Sequence, residues 1–83
     1  MVDVSTGGSI VSSSLAGSIW KIVAEPGHVV ENAEETLLIL EAMKTEIRIE
    51  AGEENVGRRI KGFGSNVRQG SYVTAGEPLV VLE

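Results

Sequence analysis

An internal repeat constrains this 83-residue chain more than any single motif does. Gly27-His28-Val29-Val30-Glu31-Asn32-Ala33 matches Gly70-Ser71-Tyr72-Val73-Thr74-Ala75-Gly76. Leu37-Leu38-Ile39-Leu40-Glu41 then matches Leu79-Val80-Val81-Leu82-Glu83, after one extra residue in the first half. Upstream, Gly17-Ser18-Ile19-Trp20-Lys21 lines up with Gly57-Arg58-Arg59-Ile60-Lys61. Two halves of about forty residues share one plan.

The shared unit reads as strands and turns. Ten glycines among Val, Ile and Leu mark short strands separated by turns. Pro78 would interrupt a helix reaching back from Leu82, and Val80 and Val81 are β-branched, so this segment is a strand. Its counterpart Leu37 to Glu41 is then a strand too, although the Glu-Ala-Met-Lys that closes it favours helix. Beyond Lys44, the order Glu46-Ile47-Arg48-Ile49-Glu50 alternates with period two. Leu38 to Glu50 therefore reads as a β-hairpin turning at Met43-Lys44. Ala42 faces Thr45, Leu40 faces Ile47 and Leu38 faces Ile49 on an apolar side. On the other side Glu41 lies opposite Glu46.

Two features of this hairpin oppose stability. A two-residue turn needs φ > 0, which Asn-Gly would meet more easily than Met-Lys. Directly opposed carboxylates cost a few tenths of a kcal/mol. A lysine at a surface turn is ordinarily just solvated. Here Glu41, Met43, Lys44 and Glu46 all disagree with turn and sheet preferences, and that concentration marks a functional site.

Composition removes several classes of function. The net charge of −5, with seven basic residues spread among twelve carboxylates, excludes binding along a phosphate backbone. Trp20, Phe63 and Tyr72 form no stacking platform and read as core or rim residues, so no nucleic-acid partner is expected. There is no cysteine, hence no disulfide or thiolate metal site. No apolar run approaches the roughly 20 residues that span a membrane, and MVDVSTGGS lacks a signal pattern. A cytoplasmic protein without a membrane partner is expected, an organelle matrix being also compatible. With one His and no Ser-His-carboxylate arrangement, the chain is not expected to be an enzyme in its own right. His28 reads as a turn residue, because no second His or carboxylate cluster completes a metal site.

Glu41-Ala42-Met43-Lys44, midway between the two copies, resembles the attachment motif of the biotin carrier (biotinyl) domain family. The resemblance runs from about Ser12 to Glu83 and includes the Gly-x-x-Val turns. It implies an all-β fold, a flattened β-sandwich (barrel-sandwich hybrid) of two four-stranded antiparallel sheets with quasi-twofold symmetry. Residues 1–10 are then a flexible lead-in and 11–83 the carrier domain. It further implies biotin amide-linked to Lys44, with Ala42 and Met43 beside it and Glu41, Thr45 and Glu46 as recognition residues. The implied partners are a biotin protein ligase, a biotin carboxylase and a carboxyltransferase, between which the carrier moves a carboxyl group without catalysing either step. An ordinary lysine amine is protonated near neutral pH, so the ligase must supply its deprotonation.

Thr45 stands where many members have a second methionine, Ala33 where a turn glycine is expected, and Gly52 where proline is common. Two alternatives share the architecture: a lipoyl carrier, whose lysine usually follows Asp rather than Met43, and an unmodified docking or assembly module. The short link from Ile22 to Gly27 lacks the protruding thumb of bacterial acetyl-CoA carboxylase carriers. In this it is similar to multidomain carboxylases acting on urea, pyruvate or acyl-CoA. The second half runs three residues longer there, at Gly62-Phe63-Gly64-Ser65-Asn66, and the insertion is expected to emerge at the end away from Lys44.

Overall fold

The strands expected from the repeat form. The computed structural model describes residues 8–83, with β1 (Ser9–Ser12), β2 (Gly17–Ile22), β3 (Thr36–Ala42), β4 (Thr45–Glu50), β5 (Ile60–Phe63), β6 (Tyr72–Val73) and β7 (Pro78–Leu82). Strands β4-β3-β2-β6 make one antiparallel sheet and β1-β7-β5 the other. The second sheet thus has three strands, not four. Its fourth place is held by a single bridge from Val29 to Arg59, with Val30 N–H donating to Arg58 O and Ile60 N–H to His28 O. One residue more separates Gly57 from Ile60 than Gly17 from Ile19.

The core is assembled from twofold-related pairs. Leu37 and Leu79, Leu38 and Val80, Leu40 and Leu82, Val30 and Val73, and Ile19 and Ile60 are all 1% exposed or less. Both sheets turn these side chains inward, and the molecule is flattened to 38 × 28 × 18 Å. Phe63 packs against this core, whereas Trp20 and Tyr72 are largely exposed.

The pairing corrects the alignment of the halves. Ile19 corresponds to Ile60, not to Arg59. A register shift follows each of them, between Ile19 and Lys21 and between Ile60 and Gly62. Each carbonyl also accepts a turn-glycine N–H, from Gly70 at 2.7 Å and from Gly27 at 2.8 Å. Trp20 is the bulged residue, and its apolar side chain imitates the core residue Ile60 in sequence.

Strand direction corrects a second expectation. β2 begins beside Glu41 and runs away from the hairpin tip, since Ser18 pairs with Glu41 and Ile22 with Leu38. Its outgoing link to Gly27 therefore lies at the end remote from Lys44. The twofold relation exchanges the ends, so the longer link after β5 sits at the lysine end, where Asn66 Nδ2 donates to Tyr72 O at 3.0 Å. The insertion joins Lys44's end instead of leaving it.

β1 starts at Ser9, which pairs with Leu82 as Ile10 pairs with Val81. Ser9 and Ile10 are thus strand residues inside the expected lead-in, and its residues 1–7 lie outside the described ones. Among the described residues no helix is long and apolar enough to cross a membrane.

Candidate functional site

The lysine stands at the tip of the best-anchored hairpin. β3 lies between β2 and β4, and the β3–β4 register pairs Leu38 with Ile49, Leu40 with Ile47, Glu41 with Glu46 and Ala42 with Thr45, as the alternation predicts. Leu38 and Leu40 are fully buried and Ile49 is 8% exposed, so the base of the hairpin is fixed in the core. Its tip is solvated.

The turn takes the conformation that its residues resist. Met43 has φ 52° and Lys44 φ 65°, positive at both central positions as the type I′ hairpin turn demands. Among the described residues these are the non-glycine residues with positive φ. An L-residue in this region costs roughly 1–2 kcal/mol. Met43 is 96% exposed and Lys44 is exposed, so no packing among the described residues offsets that cost.

The charges around the amine are also left open. Glu41, Thr45 and Glu46 are exposed, and the ion pair found among the described residues, His28 with Glu35, lies at the other end of the molecule. Among the described residues no side chain engages the Lys44 amine. Ala42 is half-buried at the foot of the turn.

Beside the turn lies a groove of about 430 Å³, running from Glu41 and Ala42 across Gly17 and Ser18 to Tyr72. Gly17 makes it possible. A Cβ there would stand 2.8 Å from Glu41 O, so only glycine lets β2 run this close to β3. Sequence reading singled out Gly17 only as a repeat marker and missed Tyr72. The repeat aligns Tyr72 with Val29, and nothing in that match shows that β6 ends beside the lysine turn.

At the remote end, His28 pairs with Glu35 over a hollow shared with Val23, Glu25 and Thr36. His28 N–H donates to Glu25 O at 3.1 Å, closing the turn expected of it. Among the described residues no group of three or more His, Cys, Asp or Glu is placed to hold a metal ion.

An exposed amine at the tip of an anchored hairpin can be acylated by another protein's active site, because none of the described residues shields or engages it. Residues present therefore fit a covalently tethered group. The comparisons agree with this geometry. Residues 2–82 match the family described as biotin-requiring enzyme. The chain is 40% identical over 81 residues to urea amidolyase of Saccharomyces cerevisiae, covering 98% of this chain and 4% of that protein. It is 33% identical over 72 residues to the biotin/lipoyl attachment protein of Bacillus subtilis, covering 87% of this chain and 90% of that one. Among solved structures, Kluyveromyces lactis urea carboxylase matches with a TM-score of 0.77 and 30% identity, over 92% of this chain and 6% of that one. A single-chain, multi-domain long-chain acyl-CoA carboxylase matches with a TM-score of 0.73 and 26% identity, over 99% and 8%. The chain thus spans a small fraction of the large proteins it resembles and nearly all of the small one.

Proposed function

The chain belongs to the family of biotin-requiring enzymes, and from that membership we propose that Lys44 is the residue that carries biotin. It is a biotin carrier domain of the carboxylase type, which is itself non-catalytic. The observation that carries the assignment of Lys44 is the turn at Met43-Lys44, strained at two non-glycine residues and set on a buried hairpin base. Stability alone would favour Asn-Gly there.

Biotin, when bound, supplies a ureido nitrogen that accepts and releases a carboxyl group. The chain's own residues do three things for it. Lys44 Nζ forms the amide bond by attacking the acyl carbon of biotinyl-adenylate presented by a biotin protein ligase; the acyl–phosphate bond breaks, AMP leaves, and the ligase takes up the amine proton. The hairpin then holds that amide at a fixed height above the sandwich. By tethering, it replaces diffusion with a high effective concentration at a biotin carboxylase site and a carboxyltransferase site in turn. Met43 and Ala42 flank the amide. Glu41, Thr45 and Glu46, exposed around the tip, are the surface by which ligase and carboxylase recognise it. The likeness to urea and acyl-CoA carboxylases supports a carboxylase of that multidomain kind as the setting in which the carrier works.

Co-expression with a biotin ligase tests the assignment. The wild-type chain should gain the mass of one biotin and react with streptavidin, while Lys44→Arg should be folded, unlabelled and unchanged in mass. Labelling that persists in Lys44→Arg, at Lys21 or Lys61, would refute it. A mass increase equal to lipoate would establish the lipoyl alternative instead.

A further inference from the structure

Resting on the reading of Lys44 as the attachment residue, we infer that the groove between the lysine hairpin and β6 is a resting place for the tethered biotin, with the Tyr72 ring as its wall. Its volume of about 430 Å³ falls in the range of small-molecule sites, about 300–1,000 Å³. The space exists because Ala16, Gly17, Ser18 and Ala42 are small where larger side chains would fill it.

Tyr72 is suited to the task by the contrast between its backbone and its side chain. The ring is 61% exposed. The backbone beneath it is fixed on several sides: Tyr72 pairs with Ser18, the next residue Val73 is fully buried, and Asn66 donates to the Tyr72 carbonyl at 3.0 Å. Just beyond β6 the Glu77 carboxylate accepts from the Thr74 N–H at 3.0 Å, which holds it below the usual carboxylate range. An aromatic ring on a rigid mount offers contact area at small entropic cost.

The occupant's chemistry matches the residues lining the groove. Biotin's thioether sulfur suits contact with an aromatic ring, as thioethers do generally. Its ureido N–H groups are donors, and Glu41, which lines the same groove and pairs with Ser18 as Tyr72 does, carries an acceptor carboxylate. Reach is sufficient. β6 lies two strand spacings from β3, roughly 10 Å, and the lysine stem plus biotin's acyl chain exceed that distance. Between visits to its partners the ring system rests in this groove, shielded on one face by Tyr72.

Tyr72 is the one tyrosine of the chain, so ¹³C-tyrosine labelling yields a single set of ring signals to follow by NMR. Intact mass first verifies that the full chain is loaded at Lys44. The ring signals should then shift relative to the unloaded chain and show NOEs to the biotin ring protons. In the loaded Tyr72→Ser variant the biotin signals should sharpen towards those of a freely moving group. A loaded chain whose tyrosine signals coincide with the unloaded ones, and whose biotin signals are equally sharp in both variants, would overturn the resting site while leaving Lys44 as the carrier residue. Failure to load at all would overturn the reading of Lys44 and the resting site together.

Discussion

The turns at Gly27 and Gly70 and the turn at Met43-Lys44 all require positive φ, and they meet the requirement with opposite choices of residue. Glu25-Pro26-Gly27-His28 and Arg68-Gln69-Gly70-Ser71 are related by the quasi-twofold. Each closes with an N–H to carbonyl bond from its fourth residue to its first. In each the third residue is glycine, at φ 94° and 92°. Pro26 precedes its glycine as the type II turn favours. Where the fold alone is at stake, the chain puts glycine in the left-handed region. At the hairpin tip, the same region is filled by two side-chain-bearing residues at φ 52° and 65°. The difference separates what the sequence does for folding from what it does for a partner.

That comparison can be broken at several depths. The largest effect should come from the core that both regions share. Leu40→Ala and Leu82→Ala remove twofold-related, fully buried side chains, and each should cost about 2–5 kcal/mol in urea unfolding. If one costs little and the other much, the halves are not energetically alike and the contrast between their turns loses its meaning. Next, Met43→Asn combined with Lys44→Gly should raise stability by about 1–2 kcal/mol while abolishing biotin uptake. A destabilised double variant would show that the wild-type turn is not strained. Gly70→Ala should lower stability by about 1 kcal/mol. Nothing lies within 4 Å of the added Cβ, so the cost is one of conformation only, and Gly27→Ala should give the same value. The smallest effect is expected of Glu46→Gln, which relieves the opposed pair with Glu41 and should gain a few tenths of a kcal/mol. Its biotinylation rate should nevertheless fall, and an unchanged rate with both ligase and carboxylase would remove Glu46 from the recognition surface.

The hairpin was legible in sequence because period-two alternation specifies which face each residue takes, and a slip of one residue would have exposed Leu38, Leu40, Ile47 and Ile49 together. No such penalty guards the alignment of Gly17-Ser18-Ile19-Trp20 with Gly57-Arg58-Arg59-Ile60. A bulge at Trp20 puts a large apolar residue outside, and sequence alone equates it with Ile60 inside. The position of the link after β5 and the groove beside Tyr72 were hidden for another reason. They depend on which end of a neighbouring strand a residue reaches, a property of strand direction that no local pattern encodes. Ala33 is a milder case. The turn from Asn32 to Glu35 closes without glycine, because neither of its central residues takes positive φ, unlike Gly76 in the second half.

The two sheets draw on both halves of the chain: β4 and β6 from the second half complete the sheet of β2 and β3, while β1 and Val29 from the first complete that of β5 and β7. Neither half can fold first and wait for the other. Among the described residues Ser9 pairs with Leu82, so β7 must be present before the second sheet closes. Such long-range closure slows folding, because loop entropy is lost before the contacts form. On the ribosome, β1 should stay unpaired until β7 clears the exit tunnel. A nascent chain arrested before Pro78 should be open to protease, and one extended past Glu83 should become resistant in a single step.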